Sequence, residues 1–195
     1  MTNAASPYRS VADLVKAAKA APDKLNFASS GQGTQTHLAA VRFLRAAGIT
    51  MTHVPYKGQG PAMADLLGGA VDIMFDYPET ALPQMRAGKL RALAVSAGKR
   101  LEIMPEVPTM AESGYPGAAL EGWSGIFVPA KTPDDIVAQL SAELDKATNA
   151  PDVKASMARI GSFPMGLADH KFQGFVESEG PRWRKIVQDS GAQPE

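Results

Sequence analysis

The sequence predicts an α/β fold organised around a parallel sheet, and three observations carry that prediction. From residue 10 to residue 96, short strand-like runs alternate with amphipathic helical runs. No hairpin turn signal joins the strand-like runs. Helix stop signals, among them Pro22, Gly48 and Gly88, separate the units. Strands in such a chain pair in parallel through helical crossovers.

The elements follow in order. The first helix opens at Ser10, whose hydroxyl stands three residues before Asp13 in the manner of a capping box. Val11, Leu14, Val15 and Ala18 form its apolar stripe, and Pro22 ends it. Residues 25–29, LNFAS, read as a short strand, and 33–48 as a helix stopped by Gly48. A strand is expected over 50–56 and a helix over 60–69 with Pro61 in its first turn. A buried strand over 70–77, a helix over 78–90 and a buried strand over 90–96 complete the alternation. The prolines and glycines after residue 96 then mark a connecting segment with one short helix. Residues 122–130 read as a strand closed by Pro129. Thr132 is the expected N-cap of a long helix reaching Ala150, with Pro133 at its first position and a second helix starting near Pro151. The last helix carries Phe172, Phe175, Val176, Trp183, Ile186 and Val187 on its apolar face and stops at Gly191.

Composition narrows the function classes. The 195 residues suffice for one domain or two small lobes, and 45% apolar with 21% charged residues is an ordinary globular balance. Twenty basic and twenty acidic residues cancel, so the basic excess of a nucleic-acid binder is lacking. With no cysteine, disulfides, thiolate metal sites and cysteine nucleophiles are excluded. No apolar run approaches the roughly 20 residues that span a bilayer. The opening stretch MTNAASPYRSVADL lacks the charged-then-apolar pattern of an export signal. His37, His53 and His170 are scattered, with no HExxH motif, so no catalytic metal is expected. GQGTQT lacks the third glycine of a dinucleotide loop, and no phosphate-loop spacing exists, so no cofactor is expected.

In an open parallel sheet, ligands sit outside the carboxyl ends of the strands. Three features share that edge. Ser29, Ser30, Gly31, Gly33 and Thr34 lie between a strand end and a helix start. Free backbone N–H groups there carry partial positive charge and suit a carboxylate or phosphate, although a plain turn with a Ser or Thr cap has the same residues. Tyr56, Lys57 and Gly58 repeat the design one unit later, with an ammonium added. Asp76 ends the next strand and serves either as a cap for the following helix or as an acceptor for a ligand hydroxyl, amine or water. Asp72, inside that strand, reads as structural. Ser29 or Ser30 with His37 and Asp76 supplies the residue types of a hydrolytic triad, but the nucleophile-elbow motif is missing.

The pieces SSGQGTQTHLA, HVPYKGQGPAMADLLGGAVDIMFD, AGKLRALAVS and PEVPTMAESG occur in an order and spacing that resemble the Bug/TctC family. GWSGIFVPAKTP and the C-terminal helices extend the likeness to the end of the chain. These are extracytoplasmic solute receptors of tripartite tricarboxylate transporters. The resemblance implies a type II periplasmic-binding-protein fold of two α/β lobes closing on a small organic carboxylate. It implies a periplasmic location and, as partners, the membrane components of the transporter. By position, Ser29, Ser30, Gly31, Gly33 and Thr34 match the carboxylate loop of the second lobe. Tyr56, Lys57 and Gly58 match the loop facing the cleft, and Asp76 the aspartate lining the site, often through water. The chain departs from the family at its front. Residues 6–96 correspond to the second lobe and 97–195 to the return segments of the first, without that lobe's opening strands. Apolar residues such as Ile126, Phe127 and Trp183 are then expected to be exposed or to join a homodimer. A lobe that only dimerises is the alternative reading.

Overall fold

The structure, a computed structural model, describes residues 1–167 and 169–192, with Asp169 and His170 by backbone alone. By packing, the chain divides into two compact units, Met1–Gly122 with Ile186–Glu195, and Trp123–Lys185. Met104, Val107, Met110, Ala118 and Leu120 of the connecting segment are buried with the first unit's apolar residues, and burying them ties that segment down.

In the first unit, helix α1 (Val11–Ala20) starts as expected. The Ser10 hydroxyl accepts the Asp13 N–H at 3.1 Å, and the Asp13 carboxylate accepts the Arg9 N–H at 3.0 Å. Strand β2 (Asn26–Ser29) is the centre of a parallel sheet in the order β3 (Thr52–Pro55), β2, β4 (Ile73–Met74). Asn26 lies opposite Thr52, Ser29 opposite Pro55, and Phe27 opposite Ile73. Asp72 fixes the start of β2: its carboxylate accepts the Asn26 N–H at 2.8 Å, and the Asn26 side chain accepts the Asp72 N–H at 2.8 Å. The structural role expected for Asp72 is the one it has.

Helices α2 (Gln35–Ala47), α3 (Gln59–Gly68) and α4 (Pro78–Arg86) follow β2, β3 and β4 in turn. Alternate residues of β2 serve opposite faces of the sheet. Phe27 joins Val11, Leu14, Phe43, Ile73 and Met110 on the side covered by α1 and α2. Ala28 joins Ala62, Leu66, Val71, Met74 and Leu90 on the side covered by α3.

One strand was not expected, and three expected strands are shorter or differently paired. Thr2–Asn3 form β1, antiparallel to β5 (Leu90–Arg91), where a parallel strand over 90–96 was predicted. Beyond Arg91, among the described residues, only a bridge between Val95 and Thr109 remains. The strand predicted over 70–77 is reduced to β4, and that over 50–56 to β3. Met1 and Met74 exchange backbone hydrogen bonds at 2.9 and 3.0 Å, which sets β1 beside β4. A two-residue strand carries no readable periodicity, so only the fold reveals it.

The second unit departs from expectation more. Residues 122–130 form no strand; no described strand pairs with them, and without a partner an extended segment builds no ladder. Helix α5 (Asp134–Asn149) takes Pro133, not Thr132, at its cap position, with no side-chain cap. Neither α5 nor α6 (Pro151–Arg159) buries a residue. Ile126 and Phe127 are exposed at 68% and 64%, as expected for them. Trp183 is not: on α7 (Asp169–Ser190) it is half-buried, and its indole donates to Glu179 at 2.9 Å. Glu179 also accepts from the Trp123 indole at 3.2 Å. Trp123 packs edge-on against Phe172 and Phe175, which stabilises this unit through aromatic contact. Val187, placed on the apolar face by periodicity, is 38% exposed, whereas Ile186 is buried.

Candidate functional site

The loops after β2, β3 and β4 stand together at the carboxyl edge of the sheet, because those strands are parallel neighbours. The first two are joined through the backbone. The Tyr56 N–H donates to Ser29 O at 3.1 Å, and the Gly58 N–H donates to Ser30 O at 3.2 Å. Gly31, at φ +137°, passes so close that a Cβ would lie 3.4 Å from Tyr56 O. Gly58, at φ +106°, opens α3 in a conformation that side-chain-bearing residues rarely adopt.

Within the first loop, hydroxyls cluster. Ser30 Oγ lies 3.3 Å from Thr34 Oγ1 and 2.9 Å from Thr36 Oγ1, and the two threonine hydroxyls lie 3.1 Å apart. Thr36 also accepts the Ser30 N–H at 3.0 Å. Sequence reasoning missed Thr36. Its signal was a second hydroxyl two residues past the cap position, where a first-turn side chain folds back over the loop. Neither Thr34 nor Gly58, the cap residues of α2 and α3, uses a side chain to cap its own helix. Backbone donors at both helix starts therefore remain for another acceptor.

The third loop brings Asp76. Its Oδ2 accepts the Thr80 hydroxyl of α4, whereas its Oδ1 is buried with no hydrogen-bond partner. Burial pushes this carboxyl above the usual aspartate range. A buried acceptor left open costs free energy until a donor reaches it, so the site calls for a hydroxyl, a protonated group or a water there. Tyr77 and Gln35 also escaped the sequence reading. The Tyr77 hydroxyl donates to Gln35 Oε1 at 3.2 Å, which ties the Asp76 loop to the first turn of α2. The Gln35 amide lies so tightly against Gly122 that any Cβ at 122 would overlap it.

The remaining expected residues have distinct placements. Tyr56 is tied back: its hydroxyl donates to Asp65 at 2.6 Å, and that bond, followed by burial, pushes its pKa up to about 12. Lys57 stands exposed beside Gly58. Gly33 donates its N–H to His37 Nδ1 at 3.1 Å. Ser29 is fully buried. Its Oγ accepts the Gly31 N–H at 3.2 Å, lies 3.1 Å from Gly31 O, and meets His53 Nε2 at 2.7 Å. The histidine beside a serine is thus His53, not His37, and the hydroxyl's hydrogen-bonding positions are all taken. A shielded, saturated hydroxyl is a poor nucleophile. The side chain of His170 lies outside the described residues.

Beneath the first loop, three rings stack: Phe27 on His53 at 4.7 Å, and His53 on His37 at 4.1 Å. Burial, and then the neighbouring His37, lower the His53 pKa to about 4. Above the unfolded value of about 6.5 both states are neutral and the ring costs nothing. As pH falls from there toward 4, the unfolded chain takes the proton first, so stability declines across that window. With solvent access to this half-buried ring allowed for, the loss is about 2 kcal/mol. Urea unfolding between pH 7 and pH 4.5 is expected to show this slope, and His53→Phe to flatten it; a variant slope equal to that of the wild type would refute the assignment.

A shallow groove of about 560 Å³ lined by Lys19, Arg45 and Ile49 lies at the opposite, amino end of the strands, away from these loops.

The α/β fold that carries these loops matches that of solved periplasmic binding proteins. A protein of R. palustris solved with adipate superposes at a TM-score of 0.91 with 33% identity, over 97% of this chain and 63% of that one. Periplasmic binding protein BugD matches at 0.90 and 31%, over 98% and 65%. MatC from Rhodopseudomonas palustris, solved with bound malate, matches at 0.87 and 31%, over 95% and 64%. Residues 1–192 match the model of the tripartite tricarboxylate transporter family receptor, and the chain belongs to that family. Among its relatives, a UPF0065 protein of Pseudomonas sp. (strain P51) is 40% identical over 183 residues, 93% of this chain and 54% of that protein. BugT of Bordetella pertussis is 34% identical over 192 residues, 98% and 59%. The chain spans 54% and 59% of the lengths of these two relatives.

Proposed function

We propose that this chain supplies the carboxylate-binding loops of a periplasmic receptor that captures a small organic di- or tricarboxylate for the membrane components of a tripartite transporter. The observation that carries the reading is the junction of the two Gly-rich loops at the uncapped starts of α2 and α3. Helix-start amides carry partial positive charge and stabilise an anion, and the Ser30–Thr34–Thr36 hydroxyls, bonded to one another and through Thr34 to Gly31 O at 2.7 Å, hold the loop in place around them. On this reading Asp76 Oδ1, buried without a partner, takes a ligand hydroxyl or a bridging water rather than the carboxylate itself, since two bare carboxylates repel. The structural neighbours solved with adipate and with malate support a dicarboxylate. On this reading the chain is a binding protein rather than an enzyme, residues 6–96 carry the ligand loops and 97–195 the return segments of the second lobe's partner.

Calorimetric titration with malate, adipate and citrate tests it. Heat from at least one acid, weakened about tenfold by Ser30→Ala combined with Thr34→Val, is the expected result. Silence from every carboxylate in a folded protein would sink the reading.

A further inference from the structure

We propose that His37 is a positioning residue of the ligand loop, fixing the Gly33 amide through an unprotonated Nδ1, so that ligand capture depends on the stacked His37–His53 pair staying neutral. This rests on the carboxylate-receptor reading and deepens it. Nδ1 accepts the Gly33 N–H at 3.1 Å, so it bears no proton, and the proton of the neutral ring sits on Nε2. His37 is 5% exposed, and its ring lies at 12° to that of His53. His53 Nε2 in turn holds Ser29 Oγ at 2.7 Å. The two imidazoles therefore grip the loop at both ends, Ser29 where it leaves β2 and Gly33 where it approaches α2.

Protonating Nδ1 sets one N–H against another. The Gly33 bond cannot survive that, and the path of the loop between Gly31 and Thr34 is released. The titratable group facing His37 is His53, from β3. Phe27 from β2, and Ser29 and Gly33 from the loop, present uncharged groups. Burial lowers the pKa of both imidazoles, and the charge of His37 lowers that of His53 further, so the pair is neutral near pH 7. Stacking at 4.1 Å makes a second proton costlier still.

The test compares wild type, His37→Asn and His37→Phe in calorimetric titrations with malate and adipate from about pH 7.5 to about pH 5, with thermal melts in the same buffers. Asparagine keeps an acceptor near the Nδ1 position and does not titrate; phenylalanine keeps a ring and loses the acceptor. Comparing the variants at each pH removes the titration of the acids themselves. His37→Phe is expected to bind about tenfold more weakly at neutral pH, and His37→Asn to recover to within about threefold of wild type. As acidification begins to protonate the pair, the wild type is expected to lose more affinity than the asparagine variant. A folded His37→Phe that binds like wild type, or identical pH profiles for wild type and His37→Asn, overturns the proposal. Should the wild type bind none of malate, adipate and citrate, the receptor reading fails, and the positioning role is read in the free protein by amide exchange at Gly33 and by the ¹⁵N spectrum of the histidines. A protected Gly33 amide that loses protection on acidification, with His37 as the Nε2–H tautomer, supports it; an unprotected Gly33 or an Nδ1–H tautomer overturns it.

Discussion

Phe27→Ala is expected to lower stability by about 3–5 kcal/mol, the cost of removing a fully packed phenylalanine and leaving a cavity. Phe27 is 2% exposed in the centre of β2, and its ring is buried among α1, α2 and β4 side chains including Val11, Phe43 and Ile73. It also forms the floor of the ring stack, 4.7 Å below His53. Truncation therefore removes apolar burial and undermines the imidazoles that hold Ser29 and Gly33. Against a total stability of about 5–15 kcal/mol, a third or more is lost. Urea unfolding followed by circular dichroism measures it, with Val128→Ala as control: Val128 is 39% exposed, and its truncation should stay within about 0.5 kcal/mol. A loss under about 1.5 kcal/mol for Phe27→Ala would show that this ring is not locked in a core.

Gly31→Val is expected to weaken dicarboxylate binding about 10- to 100-fold, the loss of one or two charge-assisted hydrogen bonds. At φ +137° a β-branched residue is strained by about 1–3 kcal/mol. Its Cβ would reach van der Waals contact with Tyr56 O at 3.4 Å and Thr34 Cγ2 at 3.5 Å, which leaves the branched methyls little room between the two loops. Relief of the backbone strain shifts the turn that carries the Gly58-to-Ser30 bond. Gly60→Ala is the control, because a Cβ there meets open space. Titration with malate and adipate, alongside melting temperatures, separates lost affinity from lost fold. Wild-type affinity in Gly31→Val would remove the first loop from the ligand site.

Much of the first unit was legible because its helices announce themselves. The Ser10 cap, the Val11-to-Ala18 stripe and the Gly48 stop all recur in the structure, since each is a local interaction between residues a turn apart. The Gly-rich loops were legible for the same reason: a strand end, glycines and a helix start are contiguous in the chain. Illegible were the groups whose partners are remote. Ser29 meets His53, 24 residues on, and Tyr77 reaches Gln35 across 42. The expected strand at 122–130 failed because alternation describes a surface, while a strand exists only when another strand supplies its hydrogen bonds. Thr132 lost its cap position to Pro133 because a one-residue shift at a helix start costs little.

The sequence by itself determined an α/β chain with two anion-suited loops on one sheet edge, through spacing and residue chemistry that act over one or two helical turns. Only the tertiary structure decided that SSGQGT rests on an offset cluster of two imidazoles and a phenyl ring, that Tyr56 is committed to Asp65, and that one oxygen of Asp76 is buried and open. Those outcomes depend on which strands lie side by side, and long-range packing settles that order where no local pattern encodes it.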